Sequence, residues 1–208
     1  NAFVLLNQAE QVAQTIPFQW TKGVTAGFLA YARLRLGHAE EAYNWLAQVP
    51  TPLTDDLNRV REGTYLIAAR VLLAQERAAE ALPLLVRITQ AAATAGRMKV
   101  VVESCVLEAL AHHALADHGA AQAALHKALT LAAPEGYIRT FVDEGEMIRQ
   151  IIYAPSGLPR LTIDDANLYT YVARILAACG ELDPFTNDRG VPPPPVPAIV
   201  NRKSQIVN

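Results

Sequence analysis

The sequence predicts an all-α protein, an α-solenoid in which similar helix pairs stack side by side. Three observations support this fold class. Apolar residues recur with helical periodicity from the N-terminus to about residue 132. Similar segments return at a spacing near 40 residues. The chain is 51% hydrophobic and 18% charged, which is typical of stacked helices with a large internal surface.

Seven helices are predicted before residue 134. Gly37 stands where the end of the second helix favours glycine, and Pro50 ends the third. Thr54 or Asp55 can cap the fourth helix, and Pro83 is expected in the first turn or so of the fifth, where proline is best tolerated. The seven helices span residues 3–14, 22–37, 38–49, 55–76, 78–96, 97–118 and 120–133.

The repeated unit is the end of one helix, a tight turn and the start of the next, as in "LGHAEEAYNWL", "QERAAEALPLL" and "ADHGAAQAAL". Ala42, Ala81 and Ala121 take equivalent places, 39 and 40 residues apart, and allow the two helices of a pair to approach closely. "RLGHAEEA" resembles the tetratricopeptide repeat, with Gly37 at the turn. The later copies depart from it, because Glu76 replaces the turn glycine in the second. We therefore expect tetratricopeptide-like helix pairs.

The pattern changes after residue 145. A short helix over 146–154 and a final helix over 162–180 are predicted to form a C-terminal helical cap, with Thr162 and Asp165 near capping-box spacing. Residues 181–208 contain "VPPPPVPA", which favours extended polyproline II. We expect a helical repeat domain at 1–180 and a Pro-rich linker or tail at 181–208, although such a stretch can also bind proline-recognition modules.

Several function classes are excluded by composition and motifs. The formal net charge of −2 gives no basic footprint, so we expect no direct nucleic-acid binding. The sequence has no phosphate-binding loop, dinucleotide fingerprint or nucleophile elbow. Glu108, His112 and His113 come closest to a metal site, but two ligands on one helix do not complete one. We predict no catalysis, no cofactor and no metal.

Cys105 and Cys179 are far apart and belong to no CxxC pair, so we expect free thiols in a reducing compartment. No apolar run has the length of a membrane span, and no signal peptide precedes the first helix. These features predict a cytoplasmic protein. The chain opens on Asn1 and Ala2 without methionine, and we expect it to be a fragment of a longer protein.

The segment "APEGYIRTFVDEG", which directly follows a repeat helix, is the most specific phrase in the chain. It resembles the close of the tetratricopeptide-like region in MalT-like, ATP-dependent transcriptional activators of the LuxR family. Ala133 and Thr140 depart mildly from the family's pattern. The resemblance covers roughly residues 3–180. It implies an N-terminal ATPase module, a helical-repeat sensor and a C-terminal helix-turn-helix, with this chain as the late part of the sensor.

Pro134 and Gly136 are expected to break the last repeat helix, so that Tyr137 and Phe141 fold back over its apolar end. A terminal repeat needs such a cap because its outer face has no neighbouring repeat. The alternative is that this segment contacts a ligand. We interpret these four residues as a structural cap.

A ligand-binding face is predicted on the first helix of each pair. Counting back eleven residues from Ala42 and Ala81 reaches Tyr31 and Arg70, which should therefore project to the same side. Glu62, two turns before Arg70, extends this face. Stacking on the tyrosine and charged hydrogen bonds from the arginine would suit a polar small molecule or a peptide.

In the first helix of the third pair, the same count from Ala121 falls on Leu110, an apolar residue. The register of this helix with Tyr31 and Arg70 is therefore imperfect. The polar residues there are Ser104, Glu108 and His112, spaced by four. We include them in the predicted ligand face. The alternative is that the charged residues of this face pair with one another or face water.

We therefore expect a non-enzymatic sensor and scaffold domain of a transcriptional activator, which binds an inducer or a protein partner and relays the signal to neighbouring domains. The alternative is a free-standing tetratricopeptide-like adaptor unrelated to transcription. A phosphate-binding loop upstream and a helix-turn-helix downstream in the full-length gene would distinguish the two.

Overall fold

The structure, a computed structural model, describes residues 2–15, 19–49, 62–153, 163 and 165–179. The described residues form ten α-helices and no strand, which confirms the predicted all-α class. The helices are α1 Ala2–Thr15, α2 Gln19–Arg35, α3 Ala39–Gln48, α4 Glu62–Ala74, α5 Ala78–Thr94, α6 Met98–Ala114, α7 His118–Ala132, α8 Arg139–Val142, α9 Gly145–Tyr153 and α10 Ala166–Ala178. The predicted helix start at 55–61, the cap at Thr162 and the Pro-rich tail at 181–208 lie outside the described residues.

Three helix pairs form the body of the solenoid: α2 with α3, α4 with α5, and α6 with α7. The anchors Ala42, Ala81 and Ala121 are at most 1% exposed, as close helix packing requires. Of the first helices, α2 packs against α4 and α4 against α6. We call the side of the stack formed by α2, α4 and α6 the first-helix face.

The turns within the three pairs, and the turn between α5 and α6, share one geometry. In each, a residue with positive φ lies two residues after the last helical residue, and the next helix begins two residues later. At the second turn, the N–H of Arg77 donates to the carbonyl of Leu72 over 2.9 Å, which satisfies a carbonyl at the helix end. The left-handed residues are Gly37 at 84°, Glu76 at 60°, Gly96 at 70° and Ala116 at 60°. The turn geometry is therefore kept even where the sequence lacks glycine.

Pro83 is the sixth residue of α5, which is its place in the predicted helix, since the predicted and observed helices both begin at residue 78. The N-cap of α10 is Asp165, whose carboxylate accepts hydrogen bonds from the N–H groups of Asn167 and Leu168. This is the usual capping arrangement for an aspartate, and α10 begins at Ala166, four residues later than the predicted start at 162.

The three helices after the repeats pack onto the last pair. α9 lies against α6 and α7, and α10 lies against α7 and α8. Phe141, Ile148 and Ile175, one from each of these helices, are completely buried. The repeat core therefore continues without interruption into the C-terminal helices.

Candidate functional site

Arg70 lies in the middle of α4, on the first-helix face, with only 11% of its side chain exposed. Its guanidinium sits over the ring of Tyr31 from α2, 5.2 Å from the ring centroid. The two residues that the sequence predicted to share a side are thus in direct contact. Such stacking is a favourable cation–π arrangement.

Two carboxylates neutralise Arg70 from different parts of the chain. Nη1 lies 2.9 Å from a carboxylate oxygen of Glu103 in α6. Nε donates to Glu144 over 2.8 Å, and the Glu144 side chain is also only 11% exposed. Burial alone would lower the pKa of Arg70, but these carboxylates outweigh it, so the pKa is raised and the arginine stays charged. Burial also raises the pKa of Tyr31, partly opposed by the charge of Arg70.

Glu144 lies with Asp143 in the short connection between α8 and α9, and we call residues 143–145, which include the first residue of α9, the acidic turn. Arg35, at the end of α2, donates to the backbone carbonyl of Asp143. The Asp143 carboxylate is 2.6 Å from Arg139, one helical turn earlier. The acidic turn is therefore held by two arginines of the first-helix face, 74 and 108 residues away in sequence.

Glu62 does not join this cluster. It is 7% exposed and accepts two hydrogen bonds from Arg97, which lies in the turn between α5 and α6. The Nε bond is 3.0 Å long, and Nη2 also donates to the carbonyl of Ala91 over 3.3 Å. This pair ties the start of α4 to the next turn, so the carboxylate of Glu62 is already engaged.

The predicted polar stripe on α6 also departs from expectation. Ser104 is fully buried, and its hydroxyl has no hydrogen-bond partner, so it does not line an open face. Glu108 accepts a hydrogen bond from Thr89 of α5. His112 lies 3.6 Å from the carboxylate of Asp117 in the following turn. The three side chains are thus buried or engaged by α5 and by the turn after α6, so they do not form one open stripe.

The four predicted cap residues lie where the repeats end. α7 ends at Ala132, and Gly136 follows in a left-handed conformation with φ of 69°. Pro134 is exposed beside it, whereas Phe141 is completely buried.

The backbone of Tyr137 is bound to the final helix. Its carbonyl accepts a hydrogen bond of 2.5 Å from the hydroxyl of Tyr171 in α10. The ring of Tyr171 also packs edge-to-face against Phe141, with centroids 6.1 Å apart. This segment therefore joins α7 to α10.

The acidic partners of Arg70 were not predicted from the sequence. Glu103 could have been, because it lies two helical turns before Leu110, the position reached by counting back eleven residues from Ala121. Glu144 stands out in the sequence only as part of the segment "APEGYIRTFVDEG", and no local pattern connects residue 144 with residue 70. Likewise, no sequence pattern indicates that Arg35 pairs with Asp143.

A cleft of about 230 Å³ lies elsewhere, between α3 and the turn that joins α4 to α5. Tyr43 lines it and donates to the carbonyl of Ala74 over 3.1 Å. Arg77 and Glu80 form an exposed ion pair of 2.7 Å beside it. This cleft does not include Tyr31 or Arg70.

Two further properties concern the part of the chain that the structure describes. No group of three or more His, Cys, Asp or Glu residues in it could hold a metal ion. No helix within it combines the length and the apolar character that crossing a bilayer requires.

The family model described as the MalT-like TPR region matches residues 1–154. The match includes the three helix pairs, the segment after them and α9. Comparisons with curated proteins and with solved structures found no match. Since the family model covers well over half of the 208 residues, the chain belongs to the family of MalT-like TPR regions.

Proposed function

We propose that this chain is a non-enzymatic sensing and scaffold domain of a MalT-like transcriptional regulator of the LuxR family. It binds an inducer or a protein partner and relays the signal to neighbouring ATPase and helix-turn-helix domains. Family membership supports the regulator context. The proposal places the protein in the cytoplasm and assigns DNA binding to the neighbouring domain, in keeping with a net charge of −2.

The observation that carries the proposal is the junction between the first-helix face and the acidic turn. Arg35 comes from the first helix pair and Arg70 from the second, while Asp143 and Glu144 lead directly into α9. A ligand that contacts Tyr31 or Arg70 therefore acts on a segment that continues into the C-terminal helices. Allosteric coupling requires such a shared element, which both sites can bias.

The test uses the full-length protein in a transcription reporter assay, after a thermal-shift screen has identified a ligand. Arg70→Ala and Tyr31→Ala should weaken ligand binding and change the ligand response of the reporter. Arg77→Ala is the matched control, because this exposed arginine pairs with Glu80 away from the junction. A ligand response equal to wild type in both junction variants would place the sensing site elsewhere.

The sequence around the chain supplies an independent test. We expect a phosphate-binding loop upstream and a helix-turn-helix downstream. A full-length protein with neither would favour the free-standing adaptor. In a mobility-shift titration at about 100 mM salt, the 208-residue chain alone should give no sequence-selective complex with duplex DNA.

A further inference from the structure

We propose that Arg70 is a carboxylate-binding site whose resident occupant is the chain's own Glu144, and that an external carboxylate binds there by displacing the acidic turn. This inference rests on the proposed function, since it takes the first-helix face as the ligand-binding side. It adds the chemical class of the ligand and the competitor that the ligand must replace.

The surroundings of Arg70 are those of a carboxylate receptor. A guanidinium recognises carboxylates in its plane and stacks its face on aromatic rings. Here the guanidinium carbon lies over the Tyr31 ring, 5.2 Å from its centroid. The guanidinium nitrogens contact Glu103 at 2.9 Å and Glu144 at 2.8 Å. The arginine is 11% exposed, so its interactions are weakly screened by solvent.

The two carboxylates that contact Arg70 lie in different parts of the fold. Glu103 belongs to α6 in the body of the solenoid, whereas Glu144 lies in a connection after the repeats. If Glu144 leaves, Arg70 keeps Glu103 and does not become an isolated buried charge. Glu144 itself would enter water. The exchange of Glu144 for an external carboxylate therefore avoids the large penalty of an unpaired buried ion.

A second largely buried ion pair lacks this property. Glu62 is a carboxylate partner of Arg97, which binds it through two nitrogens. Within the described residues, removing that carboxylate would leave the guanidinium with the carbonyl of Ala91 alone. Exchange is thus favoured at Arg70 and disfavoured at Arg97.

Displacement can be confined to the acidic turn. Phe141, two residues before it, is completely buried and anchors α8. Gly145 ends the turn with φ of 41°, a conformation that glycine adopts and leaves without strain. Movement between these two points would break the contacts of Arg70 with Glu144 and of Arg35 with Asp143 while the core stays packed.

The test measures carboxylate binding to the purified chain in which the resident occupant is removed. Glu144→Ala deletes the outer atoms of the side chain, and acetate has the size and charge to replace them. A capped peptide with the sequence of residues 142–146 (VDEGE) serves as the second probe. Binding is measured by calorimetry and thermal shift, with chloride at equal ionic strength as the reference.

We expect Glu144→Ala to bind at least one probe about 10- to 100-fold more tightly than wild type, because the resident competitor is gone. Acetate binding alone would identify a free carboxylate as the ligand, and peptide binding alone an acidic protein segment. Adding Arg70→Gln should abolish the gain. Glu146→Ala is the matched control, because this neighbouring acid pairs with Arg149, and it should behave as wild type.

Equal probe affinities in wild type and Glu144→Ala would overturn the proposal, as would binding that survives Arg70→Gln. If Glu144→Ala does not fold, Glu144→Gln keeps the side-chain size and removes the charge. It should still bind more tightly than wild type, and equal affinity would also overturn the proposal. These measurements involve no transcription, so a failed reporter assay with intact carboxylate exchange would reject the regulatory role and leave the site.

Discussion

Replacing Glu76 and Ala116 with glycine should stabilise the solenoid. Both residues have φ of 60°, in the left-handed region. Both are exposed, so truncating their side chains removes little packing. Gly37 and Gly96 already occupy the same position in the other two turns, with φ of 84° and 70°.

The magnitude follows from two opposing effects. A residue with a Cβ in the left-handed conformation costs about 1–2 kcal/mol. Substitution by glycine removes this cost, but it also destabilises the fold by about 0.4–1 kcal/mol, because glycine makes the unfolded chain more flexible. Each substitution should therefore raise the free energy of unfolding by about 0.5–1 kcal/mol. Since the two turns are well separated, the effects should add to about 1–2 kcal/mol, or about 2–8 °C in melting temperature.

Urea denaturation and thermal melting of the single and double variants would measure this. Gly37→Ala and Gly96→Ala are the reverse controls. A Cβ at either glycine would meet no atom within 4 Å, so their destabilisation would report the backbone conformation alone. If the double variant is no more stable than wild type while both controls are destabilised, Glu76 and Ala116 do not hold the left-handed turn, and the shared turn geometry is refuted.

Three further predictions concern single buried groups. Burial raises the pKa of the Cys105 thiol from 9.0 to about 11, so the folded state holds this proton more tightly than the unfolded chain. The resulting stability is complete below pH 9 and is lost as pH rises toward 11, and Cys105→Ala should flatten that part of the curve of unfolding free energy against pH. Ser104→Ala should raise the free energy of unfolding by about 1 kcal/mol in urea melts, because it removes a buried hydroxyl without a partner; a loss of stability would mean that the hydroxyl is satisfied. Tyr171→Phe should cost about 1–2 kcal/mol by leaving the carbonyl of Tyr137 without its donor, and a neutral result would show that this bond contributes nothing.

The repeat architecture could be predicted because its signals are local. Ala42, Ala81 and Ala121 were found from small residues at a fixed spacing, and all three are buried at close helix contacts. The turn at Glu76 looked like a departure from the pattern, yet its backbone matches that of Gly37. Packing of the two flanking helices is the common feature of both turns, and it overrides the residue's own preference.

The side chains of the candidate site were only partly predictable. Counting from the anchors placed Tyr31 and Arg70 on one side, because both counts cross turns of equal length and similar backbone conformation, so equivalent positions point the same way. The same count could not decide whether a polar residue faces the open side or a neighbouring helix. Ser104 is buried and Glu108 contacts Thr89 of α5, and this depends on how α6 is rotated against its neighbours.

The contact between Arg70 and Glu144 is one link between the repeats and the C-terminal helices, beside the packing of α9 and α10 on the last helix pair. A ligand can shift a conformational equilibrium only by its difference in affinity for the two states. A ligand that bound the first-helix face without disturbing Arg70, Arg35 or the acidic turn would therefore leave α9 and α10 as they are. A ligand that replaces the carboxylate of Glu144 changes the path of the chain just before α9 begins. For a sensor built on this solenoid, recognition and relay then depend on the same guanidinium.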